Sequence, residues 1–164
     1  MKNKLNTHYQ AFFFLLLTFF PSLIFASVLQ GNVVRVLDGD TIDVLQGQKT
    51  VRVRLSNIDA PEKKQAFGRW STNQLKALLA GQSVTVSYTQ TDRYGRVLGR
   101  VMTANGTEAN RQQVLIGAAW VYGRYNTDSS LPALQKAAQK LRIGLWAESN
   151  PIPPWVWRRT IDNG

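Results

Sequence analysis

Three short runs of β-forming residues, joined by two turn signals, occupy residues 28–55 and constrain the fold more than any other feature. The third run, residues 50–55, alternates strictly, so that its valines and leucine share one face while Arg52 and Arg54 share the other. Asp-Gly-Asp at residues 38–40 and Gln-Gly-Gln at residues 46–48 are typical turns, because glycine tolerates a positive φ. The pattern predicts a β-meander with an apolar inner face and arginines on the outer face.

Helical and extended patterns alternate after the meander. Residues 66–80 place their large apolar side chains on one half of a helical wheel, and Gly81 ends that helix. Further elements are predicted as strands over residues 83–88 and 96–103, and as helices over residues 107–116 and 130–141. Five strands with a helix inserted after the third predict an α+β fold, namely a five-stranded OB-fold β-barrel with about three α-helices.

The N-terminal segment differs from the rest of the chain. Residues 1–26 combine a basic start, an apolar run from Ala11 to Phe20 and a small residue at Ala26, which is typical of a signal peptide. We therefore expect cleavage near Ala26 and a secreted or periplasmic protein. An uncleaved membrane anchor is the alternative, although the apolar run is shorter than the roughly 20 residues that a span needs.

The C-terminal segment also differs from the domain that precedes it. Residues 27–148 form the predicted OB-fold domain, and residues 149–164 form a tail rich in proline and tryptophan. We expect this tail to be irregular. Its tryptophans either dock on the barrel, which is the favoured reading, or join its arginines in contacting nucleic acid.

Composition narrows the possible chemistry. The chain of 164 residues has no cysteine, and its one histidine, His8, lies in the predicted signal peptide. Disulfides, thiol catalysis, metal sites built on Cys or His, and a Ser-His-Asp triad are therefore excluded. Removing residues 1–26 takes away Lys2 and Lys4 and leaves a net charge of +8 from the +10 of the whole chain. Such a charge favours a polyanionic partner, because binding to phosphates releases counterions.

Three carboxylates and two arginines carry the candidate chemistry of this basic chain. Asp40 and Asp59 are hard oxygen ligands suited to Ca²⁺ or Mg²⁺, and Glu62 follows closely enough to draw a proton from an attacking water. Arg54 and Arg96 suit phosphate oxygens, because a guanidinium binds them bidentately and keeps its charge. Each residue alone also fits a turn, a strand end or a solvated surface. Their order and joint presence favour a metal-dependent phosphodiesterase that acts on nucleic acid.

The joint pattern resembles the thermonuclease family, the staphylococcal or micrococcal nuclease-like domains, from about Val33 to Trp146. The matching segments are Leu37-Asp38-Gly39-Asp40-Thr41, Val53-Arg54-Leu55, Asp59-Ala60-Pro61-Glu62, Thr91-Asp92-Arg93-Tyr94-Gly95-Arg96, Gly106-Thr107-Glu108-Ala109-Asn110 and Gly144-Leu145-Trp146. The resemblance implies an OB-fold barrel and Ca²⁺-dependent hydrolysis of DNA and RNA that leaves 3′-phosphate ends.

The resemblance also implies roles for individual residues. It assigns Ca²⁺ binding to Asp40, Asp59 and the backbone carbonyl of Ala60, where family members often have threonine. It assigns catalysis to Arg54, Glu62 and Arg96. It assigns substrate contacts to Arg93, Tyr94 and Tyr125, although Tyr122 matches the last of these positions about equally. Asp43 falls where the family needs no acid, and we expect it at the surface.

Two other functions remain open from the sequence alone. One is a non-catalytic OB-fold protein that binds nucleic acid, and the presence of all five catalytic and metal-binding side chains argues against it. The other is an exported basic protein that binds polyanions or anionic lipid. For the mature chain we expect no membrane span, no obligate protein partner and a monomer.

Overall fold

The computed structural model describes residues 26–162, so the predicted signal peptide lies outside the described residues except for Ala26. The strands are β1 (Ser27–Val36), β2 (Thr41–Gln46), β3 (Lys49–Leu55), β4 (Ile58–Asp59), β5 (Ser83–Thr91), β6 (Val97–Thr103) and β7 (Trp120–Val121). The helices are α1 (Gly68–Leu79), α2 (Ala109–Leu115), α3 (Leu131–Lys140) and α4 (Pro154–Asp162), with a 3₁₀ turn at Gly144–Ala147. Within the described residues, no helix is long and apolar enough to cross a membrane.

Five of the strands close into a barrel in the order β1-β2-β3-β6-β5. The pairs are antiparallel except for β3 and β6, which run parallel, and β1 closes the barrel on β5. The predicted α+β OB-fold barrel is therefore confirmed, with four α-helices where about three were expected. The interior is aliphatic, and its fully buried members include Ile42, Val44, Val53, Leu55, Val86 and Val101. Burying one such side chain stabilises the fold by about 1.5 to 3 kcal/mol.

A small second sheet outside the barrel places one of the candidate acids. Its two strands, β4 and β7, pair antiparallel, with Asp59 opposite Trp120. Because β4 follows β3 after a two-residue turn, Asp59 is held next to the end of β3 that carries Arg54. The small sheet thus joins the segment after β3 to the segment between α2 and α3.

The C-terminal tail does not match its prediction in one respect. The expectation that it is irregular is wrong from residue 154 onward, because Pro154–Asp162 forms helix α4. Pro154 is the first residue of that helix, where its fixed φ is favourable and its missing N–H has no partner to lose. Of the tail tryptophans, Trp155 docks on the domain, where it packs on Trp120 and Tyr122 at the small β4–β7 sheet rather than on the barrel.

Asp43 was expected at the surface, and the structure contradicts this. Asp43 is only 2% exposed, because β2 is covered on both faces. It lies opposite Arg35 of β1 and Arg52 of β3 in the strand register. Both arginines bond to its carboxylate, at 2.6 Å from Arg35 Nη2 to Oδ2 and at 2.8 Å from Arg52 Nε to Oδ1. These hydrogen bonds and charges hold the pKa of Asp43 below its ordinary value.

Replacing Asp43 with Asn should lower the free energy of unfolding by about 1 to 3 kcal/mol at neutral pH, since two ion pairs are lost at a buried site. A lowered pKa means that the carboxylate stabilises the fold above its unfolded pKa and loses that effect as the pH falls through its folded pKa. The gap between wild type and Asp43→Asn should therefore shrink on acidification below about pH 4. Urea unfolding of both proteins at several pH values measures it, and a gap that grows on acidification would contradict the assignment.

Candidate active site

Two buried carboxylates form the centre of the candidate site. Asp40 is the last residue of the Asp-Gly-Asp turn, and Asp59 is the last residue of β4. Asp59 is only 1% exposed. Asp40 Oδ2 accepts a hydrogen bond of 2.6 Å from the Ala60 backbone N–H, which ties the two segments together. Burial raises the pKa of Asp59 and the negative charge of Asp40 raises it further, while Arg158 and Arg54 oppose both effects. The two carboxylates are therefore close enough to repel each other.

The turn that carries Asp40 is fixed from behind by buried groups. Gly39 lies against Ala60 and Ser71 with no space for a β-carbon. The fully buried Gln113 of α2 donates from Nε2 to the Gly39 carbonyl at 2.7 Å. Sequence reasoning missed Gln113, because a glutamine in a helix carries no local signal of a partner in a distant turn. Its contact makes α2 part of the support of the site.

Asp38 is a further acid that sequence reasoning left out of the site. Its Oδ1 accepts a hydrogen bond of 3.0 Å from the Asp40 backbone N–H, as in a typical Asx turn. Burial and the charge of Asp40 raise the pKa of Asp38 to about 6. The Asp-Gly-Asp sequence is a sufficient signal for this proximity, since its two acids flank a single glycine.

Arg54 joins the two central carboxylates. Its Nη2 donates to Asp59 Oδ1 at 2.8 Å, and its Nε lies 3.3 Å from Asp40 Oδ1. Both Nη1 hydrogens are used by backbone carbonyls, those of Leu55 and Ile58, each at 2.8 Å. Arg54 lies on the face of β3 opposite the buried core side chains, as expected, but it is not solvated, because its side chain is only 13% exposed. Since three of its five N–H groups donate within the chain, Arg54 positions the acids and has few donors left for a phosphate.

Glu62 is joined to the site by a residue of the tail. Arg158 of α4 donates from Nη1 to Glu62 Oε1 at 2.7 Å and from Nη2 to Asp59 Oδ2 at 2.7 Å. The Glu62 side chain remains 43% exposed, so its carboxylate is open to water. Gln65 holds the loop, because its Oε1 accepts from the Glu62 N–H at 3.1 Å. Arg158 was not foreseen as a site residue, since 96 residues separate it from Glu62.

The hairpin between β5 and β6 carries three of the predicted residues, and their side chains contact other residues of the same hairpin. Arg96 Nε bonds to Asp92 Oδ2 at 2.7 Å, and within the described residues it makes no ion pair with the central carboxylates. Arg93 and Arg96 both lie over the ring of the exposed Tyr94, at 4.8 and 5.5 Å from its centroid. Arg96 nevertheless directly precedes Val97, which pairs with Val53 beside Arg54. Arg96 thus lies just before β6, next to the end of that strand that pairs with β3, and its approach to the central carboxylates stays a prediction.

The structure distinguishes the two tyrosines that the sequence left ambiguous. Tyr122 directly follows β7, and its N–H donates to the Asn57 carbonyl at 2.8 Å, next to β4. Tyr125 is exposed and packs edge-on against Tyr122, with ring centroids 4.9 Å apart. Tyr122 therefore adjoins the small sheet that contains Asp59, and its ring stacks on Trp155.

The donor set fits a hard divalent cation. Asp40, Asp59 and the Ala60 carbonyl are all oxygen donors, which Ca²⁺ and Mg²⁺ prefer. Burial raises the pKa of Asp59 and the nearby Asp40 charge adds to this, so a cation bound there would stabilise the ionised carboxylates. Within residues 26–162 no three Asp, Glu, His or Cys side chains form a metal cluster, and the predicted set, with two carboxylates and a backbone carbonyl, does not require one.

Comparisons with known proteins place this site in a family. Residues 52–148 match the model of the family described as staphylococcal nuclease homologue. An Escherichia coli protein named as an uncharacterized endonuclease is 54% identical over 144 residues, which cover 88% of this chain and 94% of that protein. A micrococcal nuclease of Shigella flexneri is 44% identical over 144 residues, covering 82% of this chain and 83% of the relative. The chain therefore belongs to the staphylococcal nuclease homologue family of nucleases.

Proposed function

We propose that this nuclease hydrolyses phosphodiester bonds of DNA and RNA with the help of Ca²⁺ and leaves 3′-phosphate ends. One observation carries the proposal: Arg54 holds the buried carboxylates of Asp40 and Asp59 side by side, next to the accessible carboxylate of Glu62. The net charge of +10 supports a polyanionic substrate. The names of the relatives, endonuclease and micrococcal nuclease, support the reaction class.

Each residue of the candidate site has its own role in the proposed reaction. Asp40, Asp59 and the Ala60 carbonyl would hold Ca²⁺, which when bound supplies positive charge against the anionic phosphodiester. Glu62 accepts the proton of the attacking water, since its carboxylate is open to solvent. Arg54 keeps the acids in place, and Arg96 stabilises the negative charge that develops on the phosphate after exchanging Asp92 for a phosphate oxygen. A 3′-phosphate end requires that the bond from phosphorus to the 5′ oxygen breaks and that this oxygen takes up a proton.

Substrate contact beyond the scissile phosphate is assigned to exposed side chains of the β5–β6 hairpin and of the segment after β7. Arg93 and Tyr94 lie at the tip of the β5–β6 hairpin, where a guanidinium and an exposed aromatic face suit a phosphate and a base. Tyr125 offers a second exposed ring, with the Arg124 guanidinium 5.4 Å from its centroid. Export through the signal peptide of residues 1–26 is part of the proposal and is supported by the sequence pattern alone.

Analysis of the cleaved ends tests the proposal. End-labelled DNA and RNA are incubated with the purified protein and Ca²⁺, and the products are offered to a template-dependent polymerase before and after phosphatase treatment. We expect cleavage of both substrates and products that prime synthesis only after the 3′-phosphate is removed. Products that prime at once would contradict the assigned bond, and binding without any cleavage would instead favour a non-catalytic OB-fold protein.

A further inference from the structure

Helix α4 is docked beside the candidate site by a small number of side chains. Trp155 stacks on Tyr122, with ring centroids 5.3 Å apart and planes inclined by 11°, and it meets Trp120 edge-on at 5.7 Å. Just before the helix, the Ile152 carbonyl accepts a hydrogen bond of 2.5 Å from Gln65 Nε2. The same Gln65 amide accepts the Glu62 N–H, so one side chain holds both the loop of the candidate base and the tail.

Arg158 occupies the acids that the proposed reaction needs. Its guanidinium reaches both oxygens of Asp59, at 3.3 Å from Nη1 to Oδ1 and 2.7 Å from Nη2 to Oδ2, and it also bonds to Glu62 Oε1. Arg54 also donates to Asp59 Oδ1. Both oxygens of Asp59 thus accept hydrogen bonds from arginines. The carboxylate of Glu62 pairs with the Arg158 guanidinium and is therefore less available to accept a proton from water.

Charge balance indicates that Arg158 stands in for another cation. Asp40, Asp59 and Glu62 carry three negative charges, and Arg54 and Arg158 return two positive ones. Without Arg158, these three carboxylates and Arg54 have a net charge of −2, and Asp38 beside Asp40 adds to it, so the cluster keeps an excess of negative charge that a divalent cation would offset. With Arg158 in place, the same cation would lie within a few ångströms of a second positive group that is bonded to its ligand, which is strongly unfavourable.

We propose that α4 is a built-in cap of the active site: Arg158 and Ca²⁺ compete for Asp59, and loading of the cation displaces the helix. The inference rests on the proposed function, since it assigns a regulation to the same carboxylates. Trp155 covers Tyr122 in the same step, so the cap closes both the acids and an aromatic face beside them. The Arg158 side chain is 40% exposed, which makes its ion pairs open to exchange with solvent.

Two single variants of the full chain separate the cap from a general charge effect. Arg158→Gln removes the guanidinium that bonds to the acids. Arg159→Gln removes the same charge from the next residue of the same helix, where Nε bonds only to the Trp155 carbonyl at 3.1 Å. Calcium affinity is measured by titration calorimetry with Ca²⁺ alone, and the exchange of backbone amides in residues 155–162 is followed by mass spectrometry with and without Ca²⁺.

The cap predicts tighter calcium binding by Arg158→Gln. The gain is about 10-fold if the cap is closed nine-tenths of the time, because the apparent affinity of the wild type is reduced to the fraction of molecules in the open state. Arg159→Gln should change the affinity by less than about 2-fold, since its charge lies farther away and is screened. In wild type, Ca²⁺ should speed amide exchange in α4, whereas Arg158→Gln should exchange fast already without it.

The outcomes also separate the cap from the proposed function. Calcium affinity that is unchanged or weaker in Arg158→Gln overturns the cap, even if wild type cleaves nucleic acid with Ca²⁺. Loss of cleavage in Arg158→Gln at saturating Ca²⁺ also overturns it, because Arg158 would then serve the reaction itself. If no variant cleaves nucleic acid but Arg158→Gln alone binds Ca²⁺ more tightly with a released α4, the cap stands and the proposed hydrolysis fails.

Discussion

Glu62→Gln should lower the turnover of nucleic-acid cleavage by about 100-fold to 10,000-fold, the usual range for loss of a general base. Glutamine keeps the shape of the side chain and cannot take a proton from water. The barrel should stay intact, because the Glu62 side chain is 43% exposed and supports no core packing. Turnover is measured at saturating Ca²⁺, so that a change in cation binding does not enter the result.

A matched variant and a second measurement sharpen this prediction. Glu148→Gln makes the same replacement at an exposed acid after the 3₁₀ turn and should leave turnover unchanged. Calcium affinity should fall much less in Glu62→Gln than in Asp40→Asn, because Asp40 is an expected ligand whereas Glu62 is not. Turnover near the wild-type rate in Glu62→Gln would show that another group is the base.

Arg54→Lys should lower turnover by about 100-fold or more, even though the charge is kept. The guanidinium bonds at once to Asp59 and to the carbonyls of Leu55 and Ile58, and its Nε lies beside Asp40. An ammonium is a point charge with no planar fork, so it cannot meet acceptors on both sides. The two buried carbonyls and one oxygen of Asp59 would lose the hydrogen bonds that Arg54 donates. The carboxylates of Asp40 and Asp59 would then no longer be held in position.

The structure changes the physical reason for the Arg54 prediction. The sequence suggested a grip on two phosphate oxygens, whereas most of the donors point at the protein. Arg52→Lys is the matched control, since it makes the same replacement two residues away on β3, where Arg52 pairs with Asp43 outside the site. Turnover should be kept there, and circular dichroism should show a folded barrel in both variants. Equal turnover in Arg54→Lys and wild type would contradict the positioning role.

Local pattern was sufficient for the barrel. Strict alternation over residues 50–55 and the glycine turns around β2 predict the meander because each depends only on neighbours in sequence. The surface position expected for Asp43 was wrong, since it rested on a resemblance that needs no acid there, whereas Arg35 and Arg52 on the flanking strands cover that carboxylate. Proline density hid helix α4, although Pro154 is a favourable first residue.

The site could be predicted only where its residues lie close together in sequence or form a known pattern. Asp40, Arg54, Asp59 and Glu62 span a short stretch, and the fold brings them together. Arg158 and Gln113 contact that stretch from α4 and α2. No periodicity or spacing in the sequence indicates that these distant residues contact it. The role of Arg96 stays a prediction, since the structure pairs its guanidinium with Asp92 and only its position directly before β6, the strand that pairs with β3, favours the site.

Reversible control of cleavage by a chelator tests the central claim most directly, namely that Asp40 and Asp59 hold a divalent cation on which hydrolysis depends. Labelled DNA is incubated with the full chain in Ca²⁺, then in excess EDTA, then in restored Ca²⁺, with Asp40→Asn assayed in parallel. We expect wild-type cleavage to stop in EDTA and to resume with Ca²⁺, little cleavage when Mg²⁺ replaces Ca²⁺, and a much higher Ca²⁺ requirement in Asp40→Asn. Full wild-type cleavage in EDTA, or an unchanged Ca²⁺ requirement in Asp40→Asn, would contradict the account.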